Sequence, residues 1–397
     1  MKKILLILFL LPLISFSQTN ISGLISSNQI WDTSSSPYIV TSNVLVQNGV
    51  TLTINPGVIV KVNQGVFIQV EGIISAVGTN SSYIVFESNQ TSPSSSDWEG
   101  INIRPTGGSV IDSIQNYSSG SQFKFVKIRH ANTGLYVYQS GLHISYSEFN
   151  LNNNAIEIRS SDGVVIDNSK FNNNSSGIYT KYEEYNGDNH GPISNTFIKN
   201  CLFDNNSYGT SFNLNQQVFT NLNIHNNIFS NNNLGFGGGG YGPRVHSVNI
   251  NDNIFYQGGG ISIGKIYGSE NYNGSSSSEI FPLQIYNNIL IDNGISISNG
   301  GGTESVRYRL TNNFITNLSG VAISFGNGSD FQDSIAYNYI QSNQNCISFS
   351  DNPYSDPNNK IIIYNTFIGS TSSELLKING NGHQLNFNNF YNVTGLL

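Results

Sequence analysis

The stretch NIHNNIFSNNNLGF, Asn223 to Phe236, decides the fold. It contains almost nothing that ionises and sets asparagines against three apolar residues, Ile224, Phe229 and Phe236. Asparagine is unfavourable in helix and strand interiors, so its density here needs a structural reason. Similar stretches recur along the chain. HISYSEF places Ile144 and Phe149, VIDNSKF places Ile166 and Phe171, and FIKNCLF places Ile198 and Phe203. The series continues through Ile224/Phe229, Ile250/Phe255, Ile285/Leu290, Leu310/Ile315, Ile335/Ile340 and Ile363/Ile368, with a degenerate copy around Phe387. The two apolar anchors of every pair stand five residues apart.

The first anchors advance by 22 to 35 residues per copy. Each pair is followed by a polar corner and then a short alternating segment such as GIYT, GISIG, GVAISF or CISFS. Segments of three to five residues with period-two alternation are strands and too short for helices. A unit of roughly 25 residues with three short strands is one coil of a parallel β-solenoid. The predicted fold class is all-β, a parallel β-helix of roughly 12–13 coils stacked at ~4.8 Å. Stacking also gives the asparagines a purpose. Three positions after the second anchor stand Asn152, Asn174, Asn206, Asn232, Asn293 and Asn343. Two after the first stand Asn168, Asn200, Asn226, Asn287, Asn312 and Asn365. Asparagine tolerates left-handed backbone at a tight corner, and its amide can donate and accept along a stack, so ladders are expected.

The start of the chain predicts export. Lys2 and Lys3 precede an apolar run from Ile4 to Phe16, ending at Ser15-Phe16-Ser17 before Gln18. That is the layout of a signal peptide over 1–17, cleaved near Ser17–Gln18, with an apolar core too short to span a bilayer. No other segment is apolar enough for membrane insertion. The predicted organisation is a cap region over 18–40 and a single β-helix domain over 41–397. Charged residues are 10% of the chain, net charge is −7 and pI is near 5.3, which argues against a nucleic-acid partner. With 38% hydrophobic residues, including 23 Phe and 21 Tyr, the chain is not compositionally disordered.

Before residue 140 the pattern is looser but still β. The segments TLTINPGVIVKV, DWEGINI and FVKIRHANTGL together resemble secreted bacterial right-handed parallel β-helix proteins of the pectate-lyase-like superfamily. The resemblance implies a right-handed solenoid over nearly all the mature chain. It implies no single activity, because the same coils serve lyases, hydrolases, epimerases and adhesins. The coils also decide the cysteines: Cys201 and Cys346 stand about five coils, on the order of 25 Å, apart. A disulfide needs Cα atoms within about 7 Å, so no bridge is expected, with Cys346 in the core and Cys201 at a corner.

A solenoid core is filled by its own side chains, so a ligand must bind outside. Extra residues enter mainly after the third strand of a coil, which places the long insertions along one edge. They include 181–192, 237–246 and 265–279, and charged and aromatic residues concentrate there. Such a loop wall beside a long sheet is suited to an extended polysaccharide. A lyase acting on an acidic polysaccharide by β-elimination needs a cation beside a Lys, Tyr or His base. Lys181, His190, Arg244 and Tyr267 are the candidate catalytic residues; Tyr182, Tyr185, Tyr241, His246 and Lys265 are candidate substrate contacts. Glu183, Glu184 and Asp188 offer oxygen ligands for Ca²⁺. Family motifs do not confirm this. The Arg-x-Pro-x-x-Arg of pectate lyases and the polygalacturonase motifs do not occur, and YNGDNH matches an epimerase stretch except for Asn189 in place of proline. Three readings stay open: a polysaccharide lyase, a non-catalytic glycan-binding or adhesive protein, and a structural surface protein. A solenoid end also exposes strand edges, so end-to-end self-association is a further expected partner mode.

Overall fold

In the computed structural model the described residues are 18–180, 191–212, 218–236, 244–264, 267–268, 283–298, 308–326, 334–349, 360–370, 374–378 and 382–391. They form a parallel β-solenoid with three faces. The first face carries the first anchors, from Gln29–Trp31 through Leu142–Ser145, Val164–Asp167, Ile193–Lys199 and Val218–His225 to Gln384–Asn386. Its sheet has 16 strands, of which Arg244–Val245 and Tyr267–Gly268 lie off the main path, leaving fourteen rungs. The excess over the predicted 12–13 coils includes the N-terminal end, where Thr19–Ile25, Gln29–Trp31 and Tyr38–Val46 already pair in register with the next coil. The second face carries the second anchors, as in Glu148–Asn150, Lys170–Asn172 and Leu202–Asp204. The third carries strands such as Asn154–Arg159, Ser176–Thr180 and Tyr208–Phe212.

The anchors meet inside. Ile144, Ile166, Ile198, Ile224 and Ile250 are buried in one column. Phe149, Phe171, Phe203, Phe229 and Phe255 stack face to face in a second, with ring centroids 5.1, 4.8, 4.7 and 4.6 Å apart. Those distances are the coil rise itself, so identical residues on successive coils are forced into a continuous aromatic stack. One predicted pair is out of register. The buried residues of the 361–368 segment are Ile362 and Phe367, not Ile363 and Ile368. A slip of one residue exchanges the faces of a strand, and three consecutive isoleucines leave the choice open locally. The corner decides it, because only this register puts Asn365 inside.

Both corners divide the work between adjacent residues. Two positions after an anchor the backbone is left-handed: Asn168, Asn200, Asn226, Asn287 and Asn312 at the first corner, Asn173, Asn205 and Asn231 at the second, all at φ between 50° and 57°. One position later the side chain turns inward and stacks. At the second corner Asn152, Asn174, Asn206 and Asn232 are linked amide to amide at 3.0, 2.8 and 3.0 Å. At the first corner a ladder in which only Asn365 was expected runs Asn227–Asn253–Asn288–Asn313–Asn338–Asn365–Asn388, with links of 3.0 to 3.1 Å. Each Oδ1 accepts from both the backbone and side-chain nitrogens of the preceding coil's asparagine, so buried amides are satisfied along the stack. The second-corner ladder stops at Asn232, which pairs with Gly259 in a coil lengthened by Gly258–Gly260. Asn293 is buried but bonds to Ile291, and Asn343 is exposed, so neither joins that ladder.

Cys201 heads the first-corner ladder, donating its backbone N–H to Asn227 Oδ1 at 2.9 Å, and Cys346 lies in the core. Both thiols are free, and burial pushes each up to about 12, which makes them inert at neutral pH.

Candidate functional site

The third-face strands stop at Thr180, Phe212, Phe236, Ile263, Ile297, Phe325 and Phe349, and the described chain resumes at the first face. Each insertion is therefore entered from the third face and left at the first. Most of the residues predicted for a site fall in them. Lys181, Tyr182, Glu183, Glu184, Tyr185, Asp188, His190, Tyr241 and Lys265 lie outside the described residues. Arg244 and Tyr267 are brought together in backbone register: Val218, Arg244 and Tyr267 are successive Cα partners on a short parallel ribbon that extends the first-face sheet toward the loop corner. His246 is half-buried at the end of that ribbon, its N–H donating to Phe219 O at 2.9 Å. The proposed Ca²⁺ ligands are outside the described residues, and no group of three His, Cys, Asp or Glu able to hold a metal occurs among the described ones.

The outward surface of the first face carries chemistry that the loop-centred reading missed. Asp167, Lys199 and His225 are register partners on three consecutive strands and form a straight row. Each directly follows a first anchor, in VIDN, FIKN and NIHN, and that shared position was the available signal. The row is roofed at one side by a hairpin, Ser109–Ile111 with Tyr117–Gly120, inserted ahead of the first-face strand Gln122–Lys124. Gln115 at its tip accepts a hydrogen bond from Lys199 Nζ at 2.9 Å. Ser109 Oγ accepts from the His143 N–H at 2.9 Å, and the Tyr117 and His143 rings lie 5.9 Å apart. The hairpin thus fixes the ammonium without neutralising it.

Electrostatics separates the roles in the row. Burial, then the Lys199 ammonium beside it, holds His225 below the usual imidazole range, with Asp252 and Asp167 opposing. His225 is therefore neutral at neutral pH, and it sits next to a cation. That is the pairing a proton abstraction beside a carboxylate requires: a free base and a positive charge for the developing anion. Burial lowers His143 in the same way.

A three-faced parallel solenoid with corner amide ladders defines a β-helix protein. The chain is a right-handed β-helix protein with a pectate-lyase-like β-helix domain: residues 23–125 match the pectate-lyase-like β-helix domain family, and residues 75–247 match the right-handed β-helix region family. No curated protein matches the chain. Three solved structures are similar in part. A GH136 lacto-N-biosidase from Eubacterium ramulus shares 13% identity over 85% of this chain and 62% of its own, with a TM-score of 0.37. A periplasmic alginate epimerase shares 13% identity over 89% and 78%, with a TM-score of 0.37. A GH87 α-1,3-glucanase from Streptomyces thermodiastaticus shares 10% identity over 90% and 61%, with a TM-score of 0.39. The chain therefore spans less than two thirds of the first and third of these proteins. Among the described residues no helix is long and apolar enough to cross a membrane.

Proposed function

We propose that this protein is exported and binds an extracellular acidic polysaccharide along its first face, against the loop corner, and that the bound chain is cleaved there by β-elimination. The observation that carries this reading is the Lys199–His225 pair, a cation and a neutral imidazole in register on adjacent strands of an outward face. In the proposed step Lys199 meets the uronate carboxylate and His225 takes the proton beside it. The electron pair forms the ring double bond, and the glycosidic C–O bond breaks toward the leaving chain, whose oxygen takes a proton from water. Arg244 and Tyr267 on the neighbouring ribbon, with Lys181 and His190 in the 181–190 insertion, complete the proposed set; Glu183, Glu184 and Asp188 are the proposed Ca²⁺ ligands.

The test is incubation with alginate, pectin and glycosaminoglycans while the ultraviolet absorbance of unsaturated sugar is followed. A rise abolished by His225→Gln and by Lys199→Ala supports elimination on the first face. A rise untouched by both but lost in Lys181→Ala or Arg244→Ala moves the chemistry into the loops. Retention on a glycan gel with no rise supports the second reading, a glycan-binding or adhesive protein. Neither retention nor a rise overturns both and leaves a structural surface protein.

A further inference from the structure

The third face carries a separate cluster that the row on the first face does not use. Its outward positions on successive coils are Asn102, Tyr136, Glu157 and Tyr179, with Arg104 and Arg159 at the adjacent outward positions. The Tyr136 and Tyr138 rings are nearly parallel, 7° apart in plane with centroids 6.1 Å apart. The Arg104 guanidinium lies 5.7 Å from each ring centroid, and the Arg159 guanidinium lies 5.1 Å from that of Tyr136. Glu157 is 6% exposed and receives Arg159 through Nε and a terminal nitrogen, both at 2.6 Å. Arg159 is thereby locked in place. Arg104 is not: the ion pairs among the described residues are Lys127–Glu148, Arg129–Glu87 and Arg159–Glu157, and Arg104 is in none of them.

A guanidinium resting against aromatic rings is a planar fork of donors held by cation–π contact. Without a carboxylate of its own, that fork is matched to a planar oxyanion, which it can take with two parallel hydrogen bonds. Tyr179 is raised by burial and by Glu157, so its phenol stays protonated and donates rather than acting as a base. Asn102 adds an amide two residues before Arg104. From Asn102 to Tyr179 the row crosses four coils, on the order of 14 Å, roughly the length of three sugar residues.

We propose that this third-face platform is a second, non-catalytic site for an anionic sugar segment, with Arg104 as the carboxylate-binding residue and Tyr138 as the surface that orients it. The first and third faces flank one loop corner, so two sites make the protein bivalent and able to hold one chain around that corner or to link two. This extends the proposed acidic-glycan reading to a different face, and the two separate experimentally.

Calorimetric titration of the full-length protein with galacturonate or guluronate trimers tests it. The expected result is two molar equivalents bound, falling to one in Arg104→Ala and to the other one in Lys199→Ala. Arg104→Lys, which keeps the charge and removes the fork, should weaken the third-face equivalent at least tenfold. Tyr138→Ala should do likewise. A single equivalent lost in Arg104→Ala but kept in Lys199→Ala supports the platform and sinks the first-face reading. A single equivalent lost only in Lys199→Ala, or two equivalents surviving Arg104→Ala, overturns the platform. No binding of either trimer overturns both.

Discussion

The third face is built twice on the same backbone. In coils 98–180 its outward positions are Asn102, Tyr136, Glu157 and Tyr179. In the next six coils they are Ser211, Gly235, Ser262, Ser296, Ser324 and Ser348, before Lys377 ends the row. Strand pairing and inward packing are equivalent in the two halves: Ile156 and Ile178 are buried as Ile261, Ile295 and Ile323 are. The serine half proves that the solenoid needs nothing large outside. The larger residues at 102, 136, 157 and 179 are therefore not a requirement of the strand pairing. The same contrast holds on the first face, where Asp167, Lys199 and His225 give way to Asn251, Tyr286 and Thr311.

Substitutions can break or sharpen this contrast, and the largest effects belong inside. Phe203→Ala removes the centre of the five-ring stack and should cost about 3–5 kcal/mol, read by denaturant unfolding. Asn313→Ala strips the buried partners of Asn288 and the donor to Ile285 O, and should cost about 2–3 kcal/mol. Ser296→Ala on the plain half of the third face should stay within about 0.5 kcal/mol, as expected of a surface position away from such features. An effect from Ser296→Ala as large as that from Asn313→Ala would show that the outward rows are structural after all.

Acid gives a further test. His130, His143 and His225 are all held below their ordinary range, first by burial. The unfolded chain then binds more protons than the folded one in the window between the lowered values and about 6.5, so stability should fall as pH drops through it. Thermal melts from pH 7.5 to 5 should show this decline, and the decline should be shallower in His225→Gln. A melting temperature flat across that window, or one rising toward acid, would contradict the burial of these imidazoles.

The five-residue anchor spacing was enough to establish the coil, because inward residues on stacked strands must repeat. The position of the long insertions was equally legible, since extra residues enter mainly after the third strand of a coil. The ladders were half legible. Asparagine was assigned both the left-handed turn and the amide stack, while the structure gives these tasks to neighbours. Leu151 and Tyr146 take the left-handed position at φ 56° and 51° with no amide at all. At the first corner the same position holds Tyr337, Tyr364 and Phe387, whose rings stack at 5.1 and 5.0 Å. The interior position is where donors and acceptors must find partners away from water: Ser147, Ser169 and Cys201 hold it in the earlier coils of the first corner, and amides hold it from Asn227 on.

The candidate row on the first face was not singled out in the sequence. Scarce charges drew attention to the insertions, whereas Lys199 and His225 sit in plain strands, 26 residues apart in sequence and adjacent in space. By itself the sequence determined the solenoid, its inward columns, its loop corner and its unpaired cysteines, because each follows from a repeat that any stacking must honour. Only the tertiary structure decided the register of the Ile361–Ile363 segment, which asparagines form ladders, and which outward residues become neighbours. Those depend on how coils of unequal length align, and alignment between coils is set by long-range hydrogen bonding that no local pattern contains.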